Sequence, residues 1–192
     1  MADLPPLFAE EHACERCRLA YRELSVDRCL ELVTGSVTTL AALLASADDL
    51  RLRRRPEPRT WSAIEYACHV RDVLSVFALR VHRGVHEDRP SLDPMYNDWR
   101  AERFGYSQVA VDVLLDELRI GVEGFVAEVR SVPDDAWSRP VVRRPDEVRT
   151  VLWVVRQAAH ECVHHLADVR ASLSPAPPRT SGAAAPRSPA GS

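Results

Sequence analysis

The sequence lacks the features that mark several specialised classes of protein. Lysine is absent, so all 25 basic residues are arginine, and with 28 acidic residues the formal net charge is −3. Without a basic excess, we expect no nucleic-acid partner. No apolar run reaches the roughly 18 residues that span a bilayer, and the N-terminus has no secretory-signal pattern. Five cysteines, an odd number, argue against a disulfide framework. We therefore expect a cytoplasmic protein with a small-molecule partner and no membrane partner.

What the sequence does contain is four long segments with apolar residues at helical spacing. With 192 residues, the chain is long enough for one domain with a sizeable core. The segments cover approximately residues 25–47, 62–81, 107–129 and 150–173. The second begins with Ser62 and Glu65 in a capping-box pattern. Because no alternating strand pattern lies between them, these segments predict an all-α fold, an up-down four-helix bundle.

The remaining segments predict how the chain is organised around the bundle. We assign residues 1–24 to a leader that contains a CxxC pair, residues 25–173 to the bundle, and residues 174–192 to a disordered tail rich in Pro, Ala and Ser. A long loop, residues 88–106, joins the second and third helices. Loops of this length are often functional, and we predict that Tyr96 and Trp99 shape a substrate pocket.

The last helical segment carries three histidines and a glutamate within the six residues HECVHH. Two pairs have the i, i+4 spacing of metal ligands on a helix, His160 with His164 and Glu161 with His165. On a helical wheel, His165 lies about 60° and Glu161 about 100° from the apolar stripe centred near Cys162, whereas the other pair lies about 160° away. We therefore predict that Glu161 and His165 point inward and that His160 and His164 point outward.

A histidine on the second helix, His69, is a candidate for the third ligand. It flanks the apolar stripe of that helix, and a single ligand from one helix with a pair from another is how helical bundles build an open metal site. Imidazole and carboxylate ligands suit Zn²⁺, and also Ni, Fe or Mn. Asp168 follows His165 by three residues and can orient a ligand. The alternative for each histidine is a structural role without a metal.

Two further patterns allow other metal chemistry. The string His160–His164 has the HExxH form of the zincin helix, but it lacks the distal third ligand of that family. In the leader, Cys14 and Cys17 form a CxxC pair, which is typical of half a structural zinc site or of a redox pair. No second CxxC follows, so two free thiols are the alternative.

Two segments, WSAIEYACHVRDVL at 61–74 and HECVHHLADV at 160–169, resemble the DinB-like superfamily, especially its actinobacterial members. The resemblance covers approximately residues 25–173. It implies a four-helix bundle with a divalent metal held by one ligand from the second helix and an i, i+4 pair from the last. Carried onto this chain, it assigns His69, Glu161 and His165 as ligands, with Asp168 behind them. This His, Glu, His set is similar to the mycothiol-dependent maleylpyruvate isomerase branch. Because Glu161 stands where members of the superfamily often have a histidine, the pair His160 and His164 stays open as the alternative.

The resemblance implies a metal-dependent enzyme, either an S-transferase or an isomerase, that uses a low-molecular-weight thiol such as mycothiol. Its reaction would belong to a biosynthetic or detoxification step, with His160 or His164 as an acid or base at the mouth of the site. The alternative from another class is a non-catalytic metal-binding bundle in stress response or assembly, with the loop as a homodimer contact. A bundle without metal is the third reading, because a shared fold does not fix a reaction.

Overall fold

The computed structural model describes residues 6–174. The predicted tail therefore lies outside the described residues, apart from Ser174. The helices are α1 (Val26–Ser46), α2 (Asp49–Arg53), α3 (Ala63–His86), α4 (Asn97–Arg103), α5 (Val111–Arg130) and α6 (Val151–Ser172), and an antiparallel pair of strands is formed by β1 (Pro140–Val142) and β2 (Val148–Thr150). The four long helices match the four predicted segments to within a few residues. The prediction of an all-α four-helix bundle is confirmed.

Four short elements lie in connections that periodicity left as loops. Helix α2 has five residues, α4 has seven, and each strand has three. Elements of this length show too few turns or alternations for a pattern to be recognised. The predicted loop at residues 88–106 accordingly contains α4, and a 3-10 turn, Tyr106–Gln108, begins at its last residue.

The start of α3 is fixed by the predicted capping box. One oxygen of Glu65 accepts hydrogen bonds from the backbone amide and the hydroxyl of Ser62, both at 2.8 Å. Arg55 neutralises the same buried carboxylate and donates to it from Nε at 2.9 Å. Since His69 follows Glu65 by four residues, the cap also sets which way the candidate ligand faces.

The helices are ordered α1, α6, α3, α5 around the bundle, because α3 and α1 each pack against both α5 and α6. Helices α3 and α6 run antiparallel. Gly84, near the end of α3, lies against Val151 at the start of α6. At the other end, the Ser172 hydroxyl donates to the Trp61 carbonyl at 3.3 Å. Positions far apart in the sequence are thereby brought side by side across this pair.

Two of the other neighbouring pairs, α3 with α5 and α1 with α6, are parallel. Along α3 and α5, Arg71 pairs with Glu117 at 2.9 Å, and further on His82 pairs with Glu128 at 3.1 Å. The alternation of direction in the predicted bundle therefore holds between α1 and α3 and between α5 and α6, but not between α3 and α5. The long connection through α4 allows this arrangement, since it is long enough to return the chain to the end where α3 began.

Helix α1 runs parallel to α6. The Arg156 guanidinium donates to the Leu24 carbonyl at 3.0 Å just before α1, and Arg51, just after it, donates to the Leu173 carbonyl. By length and composition α1 is apolar enough to cross a membrane, a property that counting uninterrupted apolar residues missed. Its apolar face, however, is buried against α5 and α6, as in the core helix of a soluble protein. A cytoplasmic location stays a prediction.

The described part of the leader lies along α6. Trp153 Nε1 donates to the Ala9 carbonyl at 3.1 Å, and the buried Tyr21 hydroxyl donates to Gln157 Oε1 at 2.5 Å. Tyr21 is completely buried. The leader therefore covers a face of α6 that the other long helices leave open.

The close contact between α3 and α6 at Gly84 leads to a prediction about stability. A β-carbon at Gly84 would lie 2.7 Å from Val151 Cγ2, whereas Gly35 on α1 has no such neighbour within 4 Å. Both glycines are helical, so the gain in helix propensity from alanine is shared. We expect the free energy of unfolding of Gly84→Ala to be about 1–3 kcal/mol lower than that of Gly35→Ala. Urea unfolding of the two variants measures this difference, and equal stabilities would contradict the tight crossing.

Candidate metal centre

The antiparallel contact of α3 and α6 brings His69, Glu161 and His165 together. One ligand atom from each lies within 4.8 Å of the others. Glu161 Oε2 is 3.0 Å from His165 Nε2 and 3.5 Å from His69 Nε2. Glu161 and His165 are one turn apart on α6 and face the same way, as predicted. Their role as metal ligands stays a prediction.

The state of His69 indicates that this group fits a metal ion. The side chain is buried, with 1% exposed, and neither ring nitrogen has a hydrogen-bond partner within residues 6–174. Such an unsatisfied buried group costs free energy. The ring is held between Trp61 and His165, at centroid distances of 5.5 and 4.7 Å. Two imidazoles and a carboxylate are a donor set that divalent zinc accepts.

Mutual interactions set the charges of the other two members. Burial acts to raise the pKa of Glu161, but the His165 and His69 imidazoles hold it well below its usual value. Burial acts to lower the pKa of His165, but Asp168 and Glu161 raise it to about 9. Near neutral pH the metal-free group is therefore a carboxylate beside a protonated imidazole, and a metal ion has to displace that proton.

Asp168 lies behind His165, as the spacing predicted. Its Oδ2 is 2.9 Å from His165 Nδ1, and its other oxygen accepts a hydrogen bond from Arg16 of the leader. Burial acts to raise the pKa of Asp168, but these two partners lower it. Once the second proton of His165 has left, an Nδ1–H donated to Asp168 leaves the Nε2 lone pair facing Glu161 and His69.

A cavity of about 400 Å³ opens beside His69 and Glu161. Tyr96, at the residue that precedes α4, lies in its wall. Trp99 is not among the residues that line this cavity, and its ring is exposed and packs on Phe104. That either residue shapes a substrate pocket stays a prediction. The leader, which the sequence did not connect with the pocket, adds Phe8 to the lining.

Two arginines in the wall of the cavity were also missed. Arg80 donates to the Asp93 carbonyl at 2.6 Å and lies over the Phe77 ring, and burial lowers its pKa to about 10. Arg143 pairs with Glu147 at 2.7 Å. No spacing distinguishes these two among 25 arginines. Because Glu147 already pairs with Arg143, Arg80 is the residue that makes this part of the cavity wall suitable for an anionic group.

The prediction that His160 points outward is wrong. His160 is 3% exposed, because the Tyr21 hydroxyl contacts its Nδ1 at 2.9 Å and the Phe8 ring packs against it. The helical wheel considered only the long helices, and the leader covers this face. His164 is half-buried, with Nδ1 3.8 Å from Cys14 Sγ. Neither histidine is among the residues that line the cavity.

Comparison with known proteins agrees with this architecture. A family model described as the DinB superfamily matches residues 19–169. The fold is similar to that of YfiT from Bacillus subtilis, described as a probable metal-dependent hydrolase with an unusual four-helix bundle topology. The TM-score is 0.72 at 14% identity, over 87% of this chain and 91% of that one.

It is also similar to the mycothiol-dependent maleylpyruvate isomerase, with a TM-score of 0.63 at 17% identity. That match covers 78% of this chain and 62% of the isomerase, so this chain matches less than two thirds of that protein. The search of curated proteins finds no match. With a family model that covers most of its length and a bundle of the same fold, the chain belongs to the DinB superfamily.

Proposed function

We propose that the chain is a metal-dependent enzyme that uses a small thiol of the mycothiol type in an S-transfer or isomerisation reaction. The observation that carries the proposal is the group His69, Glu161 and His165 at the wall of a cavity of about 400 Å³, in which both nitrogens of the buried His69 lack a hydrogen-bond partner among residues 6–174. A divalent metal bound there would supply Lewis acidity that lowers the pKa of a thiol or a water molecule. The likeness to the mycothiol-dependent isomerase supports the thiol.

The residues around the three ligands have separate tasks in this proposal. Gln157 donates to Glu161 Oε1 at 2.6 Å and so keeps Oε2 directed at the two histidines. Asp168 holds His165 in the ring orientation needed for Nε2 to bind. Zn²⁺ is the ion we propose, since a set of two histidines and one glutamate with an open position is found in zinc enzymes.

The cavity favours an electrophilic substrate with an anionic group. Arg80 can bind a carboxylate of that substrate, while Phe8, Phe77 and Trp153 exclude water around it. The thiolate and the electrophile would then meet between Arg80 and the metal ligands. This arrangement suits a small unsaturated or keto acid.

A second candidate, metal-dependent hydrolysis, is favoured by the likeness to YfiT. The same three ligands and the same open position would then serve a water molecule in place of a thiol. The two candidates differ in one measurable respect, which is the need for the thiol.

The test is turnover of maleylpyruvate by protein that has been stripped of metal and reloaded with Zn²⁺, with and without mycothiol. We expect turnover to require both, to fall to background in His69→Ala, and to persist in His82→Ala, which removes an exposed histidine from the same helix. Turnover of an ester or amide without thiol would support hydrolysis instead. Metal binding without any turnover would leave a non-catalytic bundle, and absence of metal after reloading would refute both candidates.

The raised pKa of His165 predicts how metal affinity depends on pH. Because that pKa is about 9, metal and proton compete for the imidazole below this pH. We expect the contribution of His165 to the affinity to increase about tenfold per pH unit from neutral pH and to level off above pH 9. Glu161 adds no slope, since its pKa is held well below the usual value.

Zn²⁺ competition titrations at several pH values measure this slope. Asp168→Asn serves as the control, because it removes a partner that raises the pKa of His165. Its slope should be shallower than that of the unmodified chain. Identical slopes would show that the protonated His165 does not compete with the metal.

A further inference from the structure

A second group of potential metal ligands lies on the face of α6 that the leader covers. One ligand atom each from Cys14, Cys17, His160 and His164 lies within 4.8 Å of the others. Helix α6 thus presents two overlapping pairs at i, i+4 spacing, displaced by one residue and therefore by about 100° around the helix. One pair faces α3 and the cavity, and the other faces the leader.

His160 has a free nitrogen that is ready to bind a metal. The Tyr21 hydroxyl donates to Gln157 Oε1 at 2.5 Å, so its oxygen can accept the proton of His160 Nδ1, which is 2.9 Å away. That assignment places a lone pair on His160 Nε2. This nitrogen is buried and has no hydrogen-bond partner among the described residues. An unpartnered buried acceptor is costly unless something binds it.

The leader forms a tight turn around its two cysteines. The Arg18 amide donates to the Cys14 carbonyl at 2.8 Å, and Arg18 adopts a left-handed φ of 58°. The Cys14 amide in turn donates to the Leu19 carbonyl at 2.9 Å. The turn therefore places both sulfurs beside the two histidines of α6.

We propose that Cys14, Cys17, His160 and His164 bind a structural Zn²⁺, separate from the metal at His69, Glu161 and His165. Two thiolates and two imidazoles fill a tetrahedral shell with no open position, and the spacings C-x2-C and H-x3-H are those of structural zinc sites. Binding releases the protons of the two thiols. In the metal-free structure, Arg16 lies 3.0 Å from His164 Nε2. Coordination through Nδ1 puts a proton on Nε2, which then cannot accept a hydrogen bond from Arg16. Arg16 would keep its hydrogen bond to Asp168.

The position of Arg16 connects this ion with the candidate metal centre. Arg16 lies between the two cysteines and donates to Asp168, which orients His165. Phe8, from the same leader, lines the cavity. A zinc ion that fixes the leader to α6 would therefore hold both a wall of the cavity and a support of one ligand in place.

Cobalt substitution distinguishes the two sites, since only a site with thiolates gives sulfur-to-cobalt charge-transfer absorption in the near ultraviolet. We expect the full chain, stripped and reloaded with Co²⁺, to bind two equivalents and to show this absorption. The double variant Cys14→Ser, Cys17→Ser should lose one equivalent and the absorption. His69→Ala should lose the other equivalent and keep the absorption. Cys29→Ala, which removes a buried thiol from α1, should keep both.

His164→Ala gives an independent check if the double cysteine variant does not fold, because the His164 side chain is only half-buried. It should also lose the charge-transfer absorption or bind Co²⁺ at least about 100-fold more weakly, given that even partners behind a ligand are worth 10–100-fold. The proposal is overturned if the unmodified chain shows no charge-transfer absorption. It is equally overturned if Cys14 and Cys17 form a disulfide and the reduced protein still binds no ion there. Because the two sites are read by different signals, failure here leaves the proposed function untouched.

Discussion

Glu161→Gln is expected to weaken binding of a divalent ion at His69, Glu161 and His165 at least about 100-fold and to abolish thiol-dependent turnover. The amide keeps the size of the side chain but removes the one negative charge among the three ligands. Partners that only orient a ligand are worth about 10–100-fold in affinity, and loss of a ligand should cost more. Without the carboxylate, the pKa of His165 also loses one of its two raising influences. Because a lower pKa of His165 weakens the competition between proton and metal, part of the lost metal affinity is recovered, but only part.

The matched control is Glu128→Gln, which makes the same exchange in the His82–Glu128 pair at 3.1 Å on the surface. It should leave metal content and turnover unchanged. Elemental analysis and Co²⁺ absorption are the readouts, with one equivalent lost from Glu161→Gln and none from the control. Retention of the ion by Glu161→Gln would mean that the carboxylate is not a ligand and that the site has to be redrawn.

Tyr21→Ala is expected to lower the free energy of unfolding by about 3–5 kcal/mol, as for other large buried aromatic residues. Tyr21 is 0% exposed and its hydroxyl contacts Gln157 and His160. Removal of the ring leaves a cavity and strands both polar partners. Tyr21→Phe keeps the ring and should cost about 1–3 kcal/mol, because it leaves a buried acceptor and donor without a partner.

Tyr96→Phe removes a hydroxyl from a side chain that is 57% exposed and should change stability by less than about 0.5 kcal/mol. Urea unfolding of the three variants at one pH gives the comparison. If Tyr21→Phe is as stable as Tyr96→Phe, the hydrogen bonds of the Tyr21 hydroxyl to α6 contribute nothing to the free energy of unfolding. If Tyr21→Ala is also as stable as Tyr96→Phe, the leader does not pack on α6 as described.

The sequence was sufficient for those parts of the molecule that depend on local order. The long helices follow from apolar residues at a spacing of three and four, and the capping box marked the start of α3. The grouping of Glu161 with His165 also followed from a single turn of helix. His69 was added by its place on the apolar stripe and by the family resemblance, and the structure shows the three side chains together.

The parts that depend on distant packing could not be predicted. His160 is buried by the leader, whose path along α6 has no periodic signal in the sequence. Cys14 and His164 are about 150 residues apart, and only the folded leader brings them to 3.8 Å. Arg80 reaches the cavity through the particular crossing of its helix, which no local pattern records. Each of these failures concerns a contact made across the chain, where spacing carries no information.

The order of the helices also has a consequence for how the chain would acquire the two proposed ions. The proposed ligands on α3 and α6 are separated by about ninety residues, and α5 forms between them without contributing a ligand. Closing so long a loop is entropically costly and occurs late, because contacts distant in sequence slow folding. We therefore expect the nascent chain to pass through most of its assembly before either ion can be captured. Metal capture would then report the completion of folding, and a chain released before α6 is made would hold neither ion.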